Sequence, residues 1–345
     1  MQLSLLDYTY PEHLVAQKPE RPSRQLCVDS DGVREISRSQ LLELFSPGDV
    51  LVLNQTRVEK RRLFAENREI LFLRPDAEGL TWEVLFQSRD LKVGQSLNLP
   101  GDIQMTLEQK GRPQKVRLSR ALSEEDFAKH GELPLPPYIQ KARGERHARA
   151  EDASWYQTAW AVDPGSLACP TASLHFSSDD LAQIEARGVQ ICKLTLHVGL
   201  GTFLPVVVED LKDHEMHVEE VRIPRATWES VQNAHREGKK VWALGTTVTR
   251  ALESAALGLL PCEGSGDFSG PTQLLIQPGF EFQIVDRLLT NFHQPRSTLL
   301  ALVAAFAGLA RVREAYQIAI EMQFRLFSYG DLSIWTRNDS PQETI

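Results

Sequence analysis

The sequence predicts an α/β fold with a mostly parallel sheet and flanking helices, into which a small antiparallel β-barrel subdomain is inserted. A Val- and Leu-rich run at 49–54 follows a Ser-Pro-Gly turn, as expected of a strand buried on both faces. Closely spaced strand-like runs without intervening helices fill 62–155, which favours a small barrel. Strands and helices alternate from 156 onward, which favours a largely parallel sheet. We therefore expect one α/β domain formed by 1–61 and 156–345, with 62–155 inserted into it.

The inserted stretch and its exit can be predicted in more detail. Strand-like runs at 69–74, 81–86 and 115–118 are separated by turn residues, including glycines. The run 133–139 contains three prolines, which remove hydrogen-bond donors and fix φ. We therefore expect an extended connection at 133–139 and no helix there.

The second half of the chain carries the signals of the α/β domain. Residues 178–188 open with a serine suited to capping and close with a glycine, which predicts a helix. Pro224 opens a second helix that runs to about residue 237, and the apolar stretch 299–310 predicts a buried helix. The remaining predicted elements are strands at 191–196 and 240–244 and a helix at 248–257. The polar end, 338–345, is expected to be unstructured.

Composition and charge exclude several classes of protein. The 345 residues carry a net charge of −8, so any RNA binding must use a local basic surface. The four cysteines form no close pair, which argues against a disulfide framework, a structural zinc and an iron–sulfur cluster. No signal peptide is recognisable, and no apolar stretch reaches the ~20 residues that span a bilayer. We expect a soluble cytoplasmic protein without a membrane partner.

A strand that ends in a Gly-x-Gly turn is the densest candidate site. Gly199 and Gly201 could let the backbone approach a ligand closely, but Leu204 occupies the third glycine position of dinucleotide sites. A cofactor-binding turn and an ordinary tight turn both remain open. His197 lies where the strand ends, and ligands of open α/β sheets bind at that end. A satisfied core histidine is the alternative interpretation.

Residues 213–220 bring two histidines and four acids close together. The His-x-x-His spacing is one residue short of the helix-borne zinc pattern, so a metal site competes with a solvated acidic turn. General acid–base chemistry by His214, His217 or Glu220 is the third interpretation.

Two further motifs stand where a loop or strand meets a helix. His175 lies in a loop that leads to a helix N-terminus, and loops carry a disproportionate share of functional residues. Gly245, Thr246 and Thr247 end a strand at a helix start, where backbone N–H groups attract anions. An anionic substrate group and a plain helix cap explain this motif equally well.

Basic residues cluster at both ends of the inserted stretch, where they could contact phosphates or could form solvated faces. The two clusters are Arg57, Lys60, Arg61 and Arg62, and Lys141, Arg143, Arg146 and Arg149.

Nine ordered stretches span nearly the whole chain: 7–17, 49–57, 131–139, 170–176, 195–203, 214–217, 245–253, 289–299 and 327–331. Together they closely resemble the S-adenosylmethionine:tRNA ribosyltransferase-isomerases of queuosine biosynthesis. The chain departs from that family's pattern at Gln55, Cys169, Ser173, Gln273 and Gln277. None of these departures removes a histidine or an arginine of the core motifs.

The resemblance implies an enzyme with S-adenosylmethionine as co-substrate and with no prosthetic group or metal. It implies transfer of the ribosyl moiety to 7-aminomethyl-7-deazaguanine at the tRNA wobble position, and its isomerisation to epoxyqueuosine. Adenine and methionine would be released. The partners implied are this tRNA and S-adenosylmethionine, and a monomer without a protein partner is expected.

Site residues follow from the motifs and the resemblance together, without individual roles. For proton transfer we expect His175, His197 and His217, with Glu220 as a weaker candidate. Around the co-substrate we expect Gly199, Gly201, Thr202, Gly245, Thr246 and Thr247, and near the substrate Asn54, Arg57, Arg250, Asn291 and His293. An RNA methyltransferase, which would yield S-adenosylhomocysteine, and a non-catalytic RNA-binding protein are the competing interpretations.

Overall fold

The computed structural model describes residues 1–338, so the end of the chain predicted to be unstructured lies, from 339 on, outside the described residues. The strands are β1 Gln25–Asp29, β2 Gly32–Ile36, β3 Val50–Asn54, β4 Thr56–Val58, β5 Arg62–Ala65, β6 Arg68–Pro75, β7 Thr81–Phe86, β8 Ser96–Leu99, β9 Ile103–Gln109, β10 Gln114–Leu118, β11 Asp163–Ser166, β12 Gln190–Leu196, β13 Glu219–Ile223, β14 Val241–Leu244, β15 Phe268–Thr272, β16 Arg287–Asn291 and β17 Leu332–Thr336. The α-helices are α1 Arg38–Glu43, α2 Glu124–His130, α3 Pro137–Arg143, α4 Asp152–Trp155, α5 Ser178–Ala186, α6 Arg225–Arg236, α7 Thr246–Ala256, α8 Thr298–Ala307 and α9 Leu309–Glu321. Short 3₁₀ turns lie at Leu3–Leu6, Glu12–Leu14, Thr171–His175, Leu200–Phe203 and Leu211–Asp213.

The large sheet is mixed, so the prediction of a mostly parallel sheet is not confirmed. Its nine strands run in the order β15-β13-β12-β3-β14-β16-β17-β1-β2. Four neighbouring pairs are parallel, namely β12–β3, β3–β14, β14–β16 and β17–β1. The other four are antiparallel. The alternation of strands and helices therefore agrees with the four central strands, which are parallel to one another, but not with the antiparallel pairs on both sides of them.

The reversal of β17 has a simple cause. Two consecutive helices, α8 and α9, join β16 to β17, whereas a parallel crossover usually contains one. They return the chain to the edge where β16 ended, and the last residue of β16, Asn291, lies opposite the first residue of β17, Leu332.

The inserted strands form the second sheet, and the predicted antiparallel barrel is confirmed as a nearly closed one. Its six strands run in the order β5-β6-β7-β10-β9-β8, and every neighbouring pair is antiparallel. Apolar side chains between Leu63 and Phe127 form a core of their own. Leu133, Leu135 and Ile139 pack instead into the core of the large sheet. The domain boundaries at 61/62 and 155/156 stay a prediction.

The proline-rich exit from the barrel differs in part from its prediction. The chain is extended as far as Pro136, but α3 begins at Pro137, so the expectation of no helix at 133–139 was wrong for its last three residues. A proline at the first helical position loses nothing, because the N–H it lacks would have no partner within the helix.

The other predicted helices form close to their expected bounds. Helix α5 is capped by Ser177, one residue before the serine we expected, and Asp180 completes a capping box. Helix α7 begins two residues earlier than predicted, at Thr246. The apolar helix α8 is buried along almost its whole length. Within 1–338, no helix is long and apolar enough to cross a membrane.

A buried ion pair joins the barrel exit to the large sheet. Arg143 donates to both carboxylate oxygens of Asp152, at 2.7 and 2.9 Å, and the two side chains are 1% and 0% exposed. The Tyr329 hydroxyl donates to the same carboxylate at 3.1 Å. Arg143 is thus a structural residue and not the phosphate contact that its basic neighbours suggested.

We expect Arg143→Ala to lower the free energy of unfolding by about 3–5 kcal/mol, because it leaves the buried Asp152 carboxylate without its cation. Urea unfolding of the purified variants measures the change. The matched control is Arg146→Ala, since Arg146 is exposed and its one hydrogen-bond partner among residues 1–338 is the Asn67 carbonyl. An equal loss of stability in both variants would contradict this account of Arg143.

Candidate active site

Four neighbouring parallel strands end at one edge of the large sheet, which we call the carboxyl edge. In spatial order they are β12, β3, β14 and β16, and their last residues are Leu196, Asn54, Leu244 and Asn291. Most of the predicted site residues lie at this edge or directly after it. The structure thus brings together motifs that are up to ~240 residues apart in sequence, as expected for the ligand-binding edge of an α/β sheet.

Asn54 fixes β3 to β12 at the carboxyl edge. Its side-chain amide donates to the Leu196 carbonyl at 2.9 Å and accepts from the Leu196 N–H at 3.1 Å. The same oxygen accepts from the Thr56 N–H at 3.1 Å, and Nδ2 lies 3.4 Å from the Thr247 hydroxyl. Asn54 is fully buried, so its amide holds three segments of the edge in place.

His197 follows β12 directly and is partly exposed. Its Nδ1 lies 2.8 Å from the Thr56 hydroxyl. One ring face packs on Gly165, where an added Cβ would come within 3.1 Å of the imidazole and where φ is +135°. Only glycine suits that backbone conformation and that contact. No hydrogen-bond partner for His197 Nε2 exists among residues 1–338.

The surroundings of His197 act on its charge in two directions. Burial lowers its pKa, while the carboxylates of Asp163, Glu59 and Glu220 oppose this effect. The imidazole is therefore neutral near pH 7, and nearby negative charge stabilises its protonated form. A half-buried histidine of this kind is suited to accepting a proton.

The glycine turn, residues 199–201, lies directly on residues 217–219. The Gly199 N–H donates to the Glu219 carboxylate at 3.1 Å. A Cβ added at Gly201 would lie 3.3 Å from Cδ2 of His217. His217 is partly exposed, and its ring nitrogens have no hydrogen-bond partner within the described part of the chain. Thr202, which follows the turn, is exposed.

Glu219 is the residue that sequence reasoning missed in this region. Buried and exposed residues alternate along β13, so Glu219 faces inward with Val221 and Ile223 while Glu220 faces solvent. The predicted candidate Glu220 contributes its carbonyl, which accepts from the His197 N–H at 3.0 Å, and a carboxylate near the imidazole. The alternation of apolar residues after Glu219 was the available signal.

Arg250 is committed to partners within the protein. From α7 it donates to the Glu219 carboxylate and, through Nε, to the Leu274 carbonyl at 3.1 Å. Its side chain is 7% exposed. A direct contact between Arg250 and a substrate stays a prediction.

The Gly245–Thr247 motif forms the start of α7. Gly245 has φ of +101° and donates its N–H to the Leu289 carbonyl at 2.8 Å. Thr246 is buried, and Thr247 contacts Asn54. Within residues 1–338 no side chain caps this helix start. Its first-turn N–H groups are therefore suited to an anion.

His175, which is partly exposed, and the buried Asn291 form a hydrogen-bonded network beside the end of β16. Asn291 Nδ2 donates to the Phe327 carbonyl at 3.1 Å and lies 3.0 Å from His175 Nε2. Since the carbonyl fixes Nδ2 as a donor, His175 Nε2 accepts, and Nδ1–H donates to the Ser23 hydroxyl at 2.8 Å. Burial and nearby arginines lower the pKa of His175 to about 3. Both ring nitrogens of His175 are occupied.

His293 is held by tyrosines on both sides of its backbone. Its N–H donates to the Tyr316 hydroxyl at 2.8 Å, and its carbonyl accepts from Tyr8 at 2.5 Å. Nε2 lies 2.9 Å from the Thr290 hydroxyl. Burial lowers the pKa of His293 to about 3. Tyr8 and Tyr316 also line a cavity of about 410 Å³ between the N-terminal segment and α9, so the cavity borders this turn.

Arg57 differs from the other members of the two basic clusters. It is exposed on β4, beside Pro164 of β11, and no partner for its guanidinium is found among residues 1–338. Most of the others bind carboxylates, namely Arg61 to Glu59 and Glu124, Arg62 to Glu69 and Glu132, Lys141 to Glu12, Arg143 to Asp152, and Arg149 to Glu145. Lys60 and Arg146 bond backbone carbonyls. Apart from the buried Arg143, phosphate contacts by these residues stay a prediction.

Gln55, one of the residues that depart from the family's sequence pattern, has a hydrogen-bond partner in the structure. Gln55 Nε2 donates to the Asp163 carboxylate at 3.0 Å, and the Thr195 hydroxyl donates to the same oxygen. A carboxylate at position 55 would instead repel Asp163, so the amide suits this neighbour. The residue types at 55, 163 and 195 were not recognisable as a group from the sequence.

A metal site was one of the three interpretations of the segment 213–220. Within residues 1–338, no group of three or more His, Cys, Asp and Glu side chains is arranged to hold a metal ion. His217 lies against Gly201 of the glycine turn, and burial and His217 lower the pKa of His214.

We expect the free energy of unfolding to fall as the pH drops from about 6.5 to about 4.5. Folded His175 and His293, with pKa values of about 3, stay neutral in this range, while the unfolded chain, at pKa 6.5, binds protons. For His293 alone the loss at pH 5 is about 2 kcal/mol, from 1.5 pH units at ~1.36 kcal/mol each. Urea unfolding at pH 7 and pH 5 measures it.

His293→Gln should flatten this pH dependence, although the variant is less stable at pH 7. The exposed His235 on α6 supplies the control, His235→Gln, which should keep the slope of the parent protein. An unchanged slope in His293→Gln would show that a neutral buried His293 is not the cause.

Comparisons with known proteins agree with the family suggested by the motifs. Residues 3–334 match the family model described as "Queuosine biosynthesis protein". An S-adenosylmethionine:tRNA ribosyltransferase-isomerase from Chlorobaculum parvum is 43% identical over 96% of this chain and 98% of its own length. One of the same name from an Azoarcus species is 42% identical over 98% and 99%. The crystal structure of an S-adenosylmethionine tRNA ribosyltransferase from Thermotoga maritima is 30% identical, covers 96% of this chain and 99% of its own, and superposes with a TM-score of 0.54. This chain belongs to the S-adenosylmethionine:tRNA ribosyltransferase-isomerase family of queuosine biosynthesis enzymes.

Proposed function

We propose that this enzyme transfers the ribosyl moiety of S-adenosylmethionine to the aminomethyl nitrogen of 7-aminomethyl-7-deazaguanine in the tRNA wobble position. The transferred ribose is isomerised to the epoxycyclopentane of epoxyqueuosine, and adenine and methionine leave. One observation carries the proposal most directly. His197 stands at the carboxyl edge beside the glycine turn, with Nε2 free and carboxylates nearby.

The first chemical demand is a base beside the ribose carbon that the sulfonium acidifies. His197 meets this demand for two reasons. Burial keeps its imidazole neutral, and Nε2, which has no hydrogen-bond partner among residues 1–338, can take the proton. The Thr56 hydroxyl and the Gly165 contact hold the ring in one orientation. Asp163, Glu59 and Glu220 then stabilise the imidazolium, and the same charges favour a cationic sulfonium at this place.

The second demand is an acid that protonates adenine as it leaves. His217 is the candidate, because it lies against Gly201 of the glycine turn and directly precedes β13. Its ring nitrogens are free of partners in the described chain. The exposed Glu220 is the weaker alternative.

The co-substrate would lie between the glycine turn and the start of α7. The uncapped N–H groups at Thr246 and Thr247 suit the carboxylate of its methionine part. Of the predicted substrate contacts, Arg57 is exposed and free to meet a tRNA phosphate. Three other predicted contacts have side chains that bond protein groups, namely Asn54, Asn291 and His293. These residues would act indirectly, by fixing the backbone at the carboxyl edge of the sheet.

Product analysis tests this function. The purified protein is incubated with S-adenosylmethionine and a tRNA that bears 7-aminomethyl-7-deazaguanine, and nucleosides and small molecules are identified by mass spectrometry. Epoxyqueuosine with free adenine and methionine is the expected result. S-adenosylhomocysteine with a methylated nucleoside would show a methyltransferase instead, and tRNA binding without turnover would show a binding protein.

We expect His197→Gln to lower kcat by about 100-fold or more, since general acid–base groups contribute roughly 10²–10⁴-fold. The affinity for the tRNA should be nearly unchanged, because Arg57 and the rest of the surface remain. Single-turnover rates and filter binding measure the two quantities. His13→Gln is the control, since His13 is exposed and, within the described part of the chain, its ring bonds Gln323 alone. Near-normal turnover in His197→Gln would remove His197 as the base.

A further inference from the structure

The antiparallel pairing of β12 with β13 ends in an unusual way. Leu196 pairs with Val221, and the next backbone bond runs from the His197 N–H to the Glu220 carbonyl at 3.0 Å. The next donor on the same side of β12, the Gly199 N–H, has no backbone carbonyl as a partner among residues 1–338. It bonds the side-chain carboxylate of Glu219 at 3.1 Å. The glycine turn therefore leaves the sheet at this carboxylate.

The Glu219 carboxylate is itself fixed by a second residue, Arg250. Arg250 on α7 donates through Nη1 to the second oxygen of Glu219 and through Nε to the Leu274 carbonyl. The two side chains are 8% and 7% exposed, so the pair is shielded from solvent and salt. Arg250 thus fixes where the Glu219 carboxylate lies, and Glu219 fixes where the Gly199 N–H lies.

Neighbouring atoms restrict the position of the glycine turn. A Cβ at Gly199 would lie 3.3 Å from the Val218 carbonyl oxygen and 3.6 Å from Cγ of Glu219. Gly201 is equally close to His217. Both glycines therefore rest on residues 217–219, and the carboxylate supplies the hydrogen bond that keeps them there.

We propose that Glu219, oriented by Arg250, is a positioning residue that holds the glycine turn in the conformation that binds S-adenosylmethionine. This proposal rests on the function proposed above. A buried ion pair is by itself weak evidence for function, because an apolar pair of similar volume is often as stable. What distinguishes Glu219 from a structural ion pair is its third contact, the hydrogen bond to the turn.

Two double variants separate the ion pair from the hydrogen bond. Glu219→Leu with Arg250→Met removes the pair and the acceptor for the Gly199 N–H. Glu219→Gln with Arg250→Met also removes the pair but keeps an acceptor oxygen at position 219. The two variants differ only in the side chain at position 219, and of the two only Gln offers an acceptor to the Gly199 N–H. The measurements are kcat, KM for S-adenosylmethionine, KM for the tRNA, and the dissociation constant of S-adenosylmethionine by calorimetry.

We expect KM and the dissociation constant for S-adenosylmethionine to be about tenfold higher in the Leu/Met variant than in the Gln/Met variant, the effect of removing the acceptor for the partly buried Gly199 N–H. The KM for the tRNA should be equal in the two. Arg222→Gln, which breaks an ion pair with Asp267 on the exposed face of the same strand, should match the parent protein. Equal values for S-adenosylmethionine in both folded double variants would overturn the proposal.

Amide hydrogen exchange of the parent protein supplies a second test that needs no variant to fold. The Gly199 amide should exchange slowly and its protection should increase with S-adenosylmethionine. Exchange at the rate of an unbonded amide would overturn the proposal. If the parent protein binds S-adenosylmethionine but forms no epoxyqueuosine, the proposed function fails, while the affinity difference between the two variants still decides the role of Glu219.

Discussion

The buried amide of Asn54 is the interaction on which the candidate site depends. It occupies both backbone groups of Leu196 and the N–H of Thr56, at the point where β3 and β12 end. Thr56 in turn holds the His197 imidazole, and Leu196 immediately precedes it. Because a buried amide with an unmet hydrogen bond costs about 1–3 kcal/mol, this geometry has few alternatives. The orientation of the proposed base therefore follows from a side chain that need not touch a substrate.

The four histidines predicted at the site divide into two kinds according to what their ring nitrogens contact. His175 and His293 are neutral connectors, because burial and their hydrogen bonds disfavour the charged form. Within residues 1–338, His197 Nε2 and the ring nitrogens of His217 have no hydrogen-bond partner at the glycine turn. The sequence motifs did not distinguish the two kinds. A histidine in such a motif is thus a candidate for proton transfer only when its surroundings leave it able to exchange a proton.

Charge is distributed in a way that suits a cationic co-substrate and a polyanionic partner. Carboxylates surround His197, while Arg57 presents an unpaired guanidinium on the neighbouring strand. Most other cations near the barrel are occupied by carboxylates, which agrees with a net charge of −8. Binding of tRNA would therefore rely on a few free cations near the reacting base, where a phosphate contact also orients the substrate.

The sequence by itself determined the central strands, the antiparallel inserted barrel and the family, because alternation of apolar residues, turn residues and ordered motifs are local properties. It also identified most of the residues that meet at the carboxyl edge. Only the tertiary structure decided that β17 and β13 run antiparallel, since strand direction depends on how the connecting segments pack. Likewise, only the fold showed that Glu219 rather than Glu220 supports the glycine turn, and that Arg143 and Arg250 are committed to carboxylates. Those facts depend on partners up to 31 residues away in sequence, and the free energy of a buried charge is set by its partner and not by its neighbours in sequence.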